Sequence, residues 1–374
     1  MRVPPVLASV PGQDQAIAFL AGAVGRPHHA YVLAGPEGSG KSLAARAFAA
    51  ALLCRDGGCG TCRECRLALR DQHPNEFVVE PEGRDIHVDT VREEIWQPAF
   101  RTAPEPGRKI FVIREADRLS PAAADTLLKV LEEPPADSVF LLSSARAHEL
   151  PETVWSRCHV VTFTALPEAF VVDQLRSEGV DEVRARLAAR LTGGNLGRAR
   201  RLATTADGLA FREAAAEALD RVADGPPGAL EAASVVLAAA AAYRKGLSAE
   251  LDAELAPFLD EKGRPEEAYR GSIRRIETRF QRRERRAERD YVDWVLLAVS
   301  SLLRDRLVAS VGAPAAVLLN PDVAPATELP VAALAAGLAG IEEARAELAE
   351  EFNLKVRLVL ERAFLKLSVA ARAA

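Results

Sequence analysis

The sequence predicts an α/β domain built on a parallel sheet, followed by two helical domains. From residue 1 to about residue 165, short apolar runs alternate with longer segments of helical periodicity, which is typical of a parallel sheet covered by helices. From about residue 166 onward, nearly every segment has the periodicity of a helix. We therefore predict domains at residues 1–165, 166–210 and 225–374.

The elements of the first domain can be assigned in order. The predicted strands are AYVLAG from residue 30, KIFVIRE from residue 109, VFLLSSA from residue 139 and HVVTF from residue 159. The predicted helices between them are SLAARAFAAALL from residue 42 and PAAADTLLKVLEE from residue 121. Beyond this domain, helices are predicted with breaks at TGGNLG and around residues 256–268 and 313–330, where Gly and Pro accumulate.

Composition and charge limit the class of protein. A chain of 374 residues with 49% hydrophobic and 27% charged residues is typical of a globular protein with two or three cores. The net charge of -5 argues against non-specific nucleic-acid binding over the whole surface. The N-terminus does not resemble a secretory signal, and no apolar run is long enough to span a bilayer. We expect a cytoplasmic protein without membrane contact.

The segment GPEGSGKS fits the phosphate-loop pattern and lies between a predicted strand and a predicted helix. Gly35, Gly38 and Gly40 let backbone N–H groups turn toward phosphate oxygens. Lys41 is placed to reach the terminal phosphates and Ser42 to ligate Mg²⁺. The pattern predicts a site for ATP; the alternative is a glycine-rich turn that binds nothing.

Four cysteines lie within twelve residues, at Cys54, Cys59, Cys62 and Cys65. Their spacing lets four thiolates surround Zn²⁺ as a tetrahedron, and this predicts a structural zinc site because no coordination position stays open. An iron–sulfur cluster and free thiols are the alternatives. Cys158 lies far along the chain and is not expected to be a ligand.

The phosphate loop, the cysteine cluster, ADTLLKVLEEPP and WSRC occur in this order. Together they resemble the AAA+ clamp-loader subunits of bacterial DNA polymerase III over about the first 200 residues. The resemblance implies an AAA+ domain with a zinc module at residues 54–65. It also implies a helical lid at 166–210 and a helical collar for oligomerisation at 225–374.

One departure from the family concerns metal binding. The family's Mg²⁺ ligand falls at Arg114, and the acid that orients the attacking water falls at Glu115. An arginine should repel Mg²⁺ rather than hold it, so we expect ATP to be bound but hydrolysed poorly or not at all. Asp117 is the alternative Mg²⁺ ligand, but its position past the end of the strand disfavours that role. Arg114 favours the delta-prime type of subunit over the gamma/tau type.

The resemblance also assigns roles to three further residues. Ser144 falls at the sensor-1 position, where a hydroxyl contacts phosphate or water. Arg157 falls at the position of an arginine finger donated to a neighbour's ATP site; read alone, it would be a surface salt-bridge residue. Arg198 falls in the sensor-2 region, where it is the first candidate for a phosphate contact and Arg200 and Arg201 are the next. The alternative is that Arg198 is a solvated residue on a helix.

The most basic segment is 274–291, with glutamates interleaved among arginines at helical spacings. This pattern favours a salt-bridged exposed helix over a tract that contacts DNA.

The resemblance implies a hetero-oligomeric part of the DNA polymerase III holoenzyme. Its expected partners are the gamma/tau and delta subunits of the clamp loader, with the sliding clamp and primer-template DNA reached through the complex. Two alternatives stay open, a gamma/tau-type motor that hydrolyses ATP and an unrelated P-loop ATPase or kinase that works alone.

Overall fold

The computed structural model describes residues 3–81, 85–204, 206–258, 270–314, 317–320, 323, 330–350 and 355–373. The chain divides into two compact units: Met1–Val171 with Gly193–Gly197, and Val172–Thr192 with Arg198–Ala374. The predicted domain bounds at residues 1–165, 166–210 and 225–374 stay predictions. The division of the rest into a lid and a collar stays a prediction, and the breaks predicted around 256–268 and 313–330 lie largely outside the described residues.

The first unit contains a five-stranded sheet in the order β2-β3-β4-β1-β5. The strands are β1 (Ala30–Ala34), β2 (Glu76–Val79), β3 (Lys109–Ile113), β4 (Ser138–Ser144) and β5 (His159–Thr162). Every pairing between neighbouring strands is parallel. The three central strands are buried along their whole length, which explains why they are continuous apolar runs.

Helices cover both faces of this sheet. In the first unit they are α1 (Pro5–Ala8), α2 (Asp14–Ala23), α3 (Lys41–Leu53), α4 (Arg63–Ala68), α5 (Val88–Val91), α6 (Gln97–Phe100), α7 (Pro121–Glu132) and α8 (Glu152–Trp155). One core cluster joins α1–α4 to one face, through residues such as Phe48 and Val112. A second joins α5–α8 to the other, through residues such as Phe111 and Leu127. The predicted α/β fold with a parallel sheet, an inserted cysteine module and a helical C-terminal part is confirmed.

Several elements of this unit were not predicted from the sequence, among them the short helices α1, α2, α4, α5, α6 and α8, the strand β2 and a π-helical turn. Strand β2 is a four-residue edge strand that follows Pro74, too short for its alternation to stand out. A π-helical turn, Arg92–Trp96, joins α5 to α6 and disturbs the 3.6-residue period there.

Apart from connecting turns and loops, the described residues of the second unit form helices. Its helices are α9 (Glu168–Ser177), α10 (Glu182–Thr192), α11 (Leu196–Thr204), α12 (Ala206–Val222), α13 (Pro226–Leu255), α14 (Arg270–Ser310), α15 (Val331–Glu350) and α16 (Val356–Ala373). Helices α9 and α11 begin in the first unit. Close packing of α15 on α16 requires a small residue, because a Cβ at Gly337 would meet the Leu367 side chain at 2.2 Å.

The strand register decides which residues share an edge of the sheet. Ala34 pairs with Ser144 and with Thr162 at the carboxyl ends of the strands. The phosphate loop, which follows β1, therefore emerges beside the end of β4. At the amino ends, Tyr31 pairs with His159. The segment that leads into β5 therefore lies at the opposite edge from the phosphate loop.

Candidate functional sites

The phosphate loop is anchored at both of its ends. Gly35 donates its N–H to the Ser144 carbonyl at 3.2 Å, which ties the loop to the end of β4. Its φ is +155°, and a Cβ there would lie 2.2 Å from the Phe163 carbonyl oxygen, so only glycine fits. Gly40 is the N-cap of α3, and the first N–H groups of that helix face the loop's end. This is the local geometry of a phosphate-binding loop.

Lys41, the first residue of α3, turns back onto the loop. Its Nζ donates to the carbonyls of Gly35 at 2.5 Å and Pro36 at 2.7 Å. Burial lowers the pKa of Lys41, and the charges of Glu37 and Asp117 offset part of this effect. The ammonium group is thus held at the loop by two neutral acceptors, which a phosphate could replace.

Two amide side chains that sequence reasoning missed pack on this loop. Gln13 donates to the carbonyls of Ser39 at 2.9 Å and Thr164 at 2.8 Å, so one buried amide joins the loop to the segment after β5. Asn195 lies against Gly38, where a Cβ would meet its Cγ at 2.0 Å. Asn195 belongs to TGGNLG, a segment that was interpreted from its glycines as a break between helices.

Arg114, at the end of β3, is turned onto two carboxylates. Both of its Nη2 contacts with the Asp71 carboxylate are 2.8 Å long, and its Nη1 donates to Glu80. Asp71 also accepts from Arg46 of α3, with 3.0 Å between Nε and Oδ2. Only 13% of the Arg114 side chain is exposed. The guanidinium therefore links the end of the cysteine-containing segment to the sheet.

The charge of Arg114 is fixed by these partners. Burial acts to lower the pKa of its guanidinium, but Glu80 and Asp71 more than offset burial and raise the pKa above its ordinary value. A permanent cation thus stands at the carboxyl end of β3. Beside it, burial raises the pKa of Glu76 well above its usual range, and the charge of Asp71 raises it further.

The acids that follow β3 differ in their surroundings. Glu115 has a left-handed φ of +50° and pairs with Arg118 at 3.0 Å. Asp117 is buried and accepts a hydrogen bond from Ser144 Oγ at 2.7 Å. The sensor-1 candidate and Asp117 are therefore one hydrogen-bonded pair, and Asp117 is close enough to Lys41 to affect its pKa.

The four clustered cysteines converge as predicted. Their sulfur atoms all lie within 4.8 Å of one another, and Cys54 Sγ is 3.7 Å from both Cys59 Sγ and Cys62 Sγ. Four sulfurs placed about 2.3 Å from one metal ion as a tetrahedron would be about 3.8 Å apart. The cluster could therefore hold a metal ion, whose identity the geometry leaves open.

Backbone groups support the sulfurs. N–H groups donate to Cys65 Sγ from Gly60 at 3.3 Å and to Cys59 Sγ from Cys62 at 3.4 Å. Hydrogen bonds from the backbone of Thr61 and then of Cys62 lower the pKa of Cys59 to about 6, which favours the thiolate. Such N–H···S contacts orient thiolate ligands and spread their charge.

Arg157 lies away from the phosphate loop. It follows α8 and precedes β5, at the amino edge of the sheet. Since β1 has five residues at about 3.3 Å each, the two edges are separated by about 16 Å. Its guanidinium pairs with Glu132 at 2.6 Å and donates to the Thr153 carbonyl at 2.8 Å. Arg157 is thus remote from the loop of its own chain.

The three arginines of the sensor-2 segment have partners within the second unit. Arg198 lies 3.9 Å from Asp293, and Arg200 pairs with Glu178 at 2.6 Å. Arg201 stacks on Trp294 at 5.1 Å. The phosphate-contact role of Arg198 stays a prediction.

The basic segment 274–291 lies within the helix α14, and its Glu288 pairs with Arg244 of α13 at 3.3 Å.

Together, a phosphate loop on a five-stranded parallel sheet and an inserted cysteine module define an α/β protein of the P-loop type. Residues 12–167 match the family described as DNA polymerase III, delta subunit. The chain is 43% identical to the delta-prime subunit of DNA polymerase III from Pseudomonas aeruginosa over 136 residues, 35% of this chain and 41% of that protein. It is 34% identical to the delta-prime subunit from Bacillus subtilis over 173 residues, 45% of this chain and 51% of that protein.

The tau subunit of DNA polymerase III from Salmonella typhimurium is also similar, with 35% identity over 182 residues, 47% of this chain and 27% of that protein. The chain spans about half the length of the delta-prime subunits it matches. Through residues 12–167, the chain is similar to delta-prime subunits of DNA polymerase III, the type of subunit that its motifs resemble. Among the described helices, none combines the length and apolar character needed to cross a membrane.

The Arg114 cluster generates a prediction about stability. Arg114→Ala removes the cation that pairs with the half-buried Glu80 and leaves the buried Asp71 with Arg46 alone, and it should lower the free energy of unfolding by about 3–5 kcal/mol in urea denaturation. Arg118→Ala, which removes the more exposed ion pair with Glu115, is the matched control and should cost about 1 kcal/mol or less. Equal losses in the two variants would contradict a special role for Arg114.

Proposed function

We propose that this chain is a delta-prime-type subunit of a DNA polymerase III clamp loader. In this role it binds gamma/tau and delta subunits in a hetero-oligomer and helps load the sliding clamp onto primer-template DNA. It donates Arg157 to the nucleotide site of a neighbouring subunit. The observation that carries the proposal is the position of Arg157 at the sheet edge opposite its own phosphate loop.

The state of its own phosphate loop supports a non-motor role. Lys41 and the loop amides offer a site for ATP, with Ser42 as the loop's ligand for Mg²⁺. The second ligand position is occupied by Arg114, whose guanidinium is held by Asp71 and Glu80. A fixed cation there disfavours Mg²⁺, so the nucleotide would be bound without efficient turnover.

A gamma/tau-type motor is the second candidate, because a tau subunit matches nearly as well as the delta-prime subunits do. The phosphate loop and Arg157 are compatible with both types. They differ at the metal position, where a motor needs a carboxylate. Arg114 therefore favours the delta-prime role.

We further propose that the cysteine cluster holds one structural Zn²⁺. The sulfur separations fit a tetrahedral S₄ set, and the cluster joins the end of α3 to α4. Closing four thiolates around one ion leaves no position for substrate. Zinc would then stabilise the module that carries Asp71, the partner of Arg114.

Elemental analysis of the purified chain should find one zinc ion, and Cys59→Ser should lose most of it, because three thiolates bind far less tightly than four. Cys158→Ser is the matched control; its thiol lies outside the cluster and should leave zinc content unchanged. Iron in place of zinc, or zinc retained in Cys59→Ser, would contradict the assignment.

Arg157→Ala in the reconstituted clamp loader should lower clamp- and DNA-stimulated ATP hydrolysis in part and clamp loading more strongly. An arginine finger accelerates phosphoryl transfer by about 10³ to 10⁵ at the site that receives it, while other sites keep theirs. Arg157→Lys should also be impaired, because an ammonium lacks the planar fork.

Assembly and zinc content should be unchanged, since one exposed side chain contributes little to a large interface. Arg92→Ala, at another exposed ion-paired arginine of the same unit, serves as the control and should load clamps normally. Loading at the wild-type rate by an assembled Arg157→Ala complex would refute the trans role.

A further inference from the structure

An open pocket of about 570 Å³ lies beside Arg157 at the amino edge of the sheet. Its polar wall consists of the Arg157 guanidinium and the imidazoles of His28, His29 and His159, with Glu132 at the end of α7. Three imidazoles and a guanidinium on one wall make a set of donors that can surround an anion.

The imidazoles are held in place by the fold. The rings of His28 and His159 are stacked, 4.1 Å apart and 10° from parallel, and the buried Tyr31 meets both of them edge-on. His28 donates its backbone N–H to the Tyr31 hydroxyl at 2.7 Å, and its Nδ1 lies 3.0 Å from the Ala30 carbonyl. Its Nε2 is therefore the ring nitrogen left for a group in the pocket.

His29 completes the set, with its ring 4.1 Å from that of His28. Its Nε2 is buried and makes no well-formed hydrogen bond within the described part of the chain. Burial lowers the pKa of His29, and charge on His28 or His159 lowers it further, while the carbonyls of Leu131 and Arg157 offset part of the effect. Neighbouring imidazoles that repel each other's charge would gain from a bound anion.

We propose that this pocket receives a phosphate group, which His28, His159 and Arg157 contact together, and that Glu132 holds the Arg157 guanidinium until the phosphate displaces it. The inference rests on the proposed trans role of Arg157. It identifies phosphate as the group that enters the pocket and Glu132 as the residue that holds the Arg157 guanidinium before the phosphate binds. Glu132 is the one carboxylate among the described residues of the pocket wall.

When phosphate replaces Glu132 as the partner of Arg157, the guanidinium keeps its hydrogen bonds satisfied. Arg157 loses one charge-assisted hydrogen bond to Glu132 and gains contacts to a phosphate, whose oxygens match the planar guanidinium in pairs. The pair that breaks is partly exposed, and exposed ion pairs contribute little, so a phosphate with several donors can compete with it. The carbonyl of Thr153 continues to hold the same guanidinium from its other side.

The test is a titration of the isolated full chain with inorganic phosphate at neutral pH, followed through the imidazole C–H resonances of its six histidines. Resonances of His28 and His159 should shift and saturate, while the resonance of the exposed His148 should not move.

Arg157→Ala should weaken phosphate binding about tenfold or more, because a charged donor is lost. Equal shifts at His148, or wild-type affinity in Arg157→Ala, would overturn the proposal. An unchanged resonance of the buried His73 reports that each variant is folded.

Glu132→Gln should bind phosphate several-fold more tightly, because it removes the competing carboxylate. Glu149→Gln, whose carboxylate pairs with Arg146 next to His148, is the matched control and should leave the affinity unchanged. No gain in Glu132→Gln would overturn the role of Glu132.

The same variant in the reconstituted assembly separates the two sources of phosphate. Faster ATP hydrolysis would support a neighbour's nucleotide as the source. Unchanged hydrolysis would assign the pocket to free phosphate and overturn its link to the finger. The titration tests phosphate binding by the isolated chain, whereas the reconstituted Arg157→Ala clamp loader tests the proposed function. A negative result in one experiment can therefore be distinguished from a negative result in the other.

Discussion

The interaction on which the rest of the site depends is the salt bridge of Arg114 with Asp71 and Glu80. A buried guanidinium with two carboxylate partners is expensive to disturb, since losing either side leaves an uncompensated charge. Asp71 follows the cysteine module and also pairs with Arg46 of α3, the helix that begins at the phosphate loop. One cation thus connects the cysteine module, the sheet and the helix that follows the phosphate loop.

The sheet separates the two chemical ends of this unit. The phosphate loop, Ser144 and Asp117 gather at the carboxyl edge, because parallel strands end there together. Arg157 and the three histidines lie at the amino edge. A chain built in this way can offer a nucleotide site on one side and a guanidinium on the other. Under the proposed function, that guanidinium would complete the nucleotide site of a neighbouring subunit.

Much of this arrangement could be predicted from the sequence, because its signals are local. Buried parallel strands are continuous apolar runs, the phosphate loop has a fixed glycine spacing, and the cysteines lie within twelve residues. The contacts that were missed join residues far apart in the chain. Gln13 reaches Thr164, Asn195 reaches Gly38, and His28 stacks on His159. No spacing rule connects such pairs, and the identity of Arg114 predicted a lost metal ligand but not its partners.

The central claim is that this chain's own nucleotide site does not turn over and that its contribution to catalysis is made in a neighbour. The most direct measurement is the steady-state rate of ATP hydrolysis by the isolated, zinc-loaded chain in the presence of Mg²⁺, compared with Lys41→Ala. The account predicts a negligible rate that is the same for both proteins, even when ATP binding is detected, because Arg114 excludes the metal and no trans arginine is present. Turnover by the wild-type chain that is lost in Lys41→Ala would contradict the account.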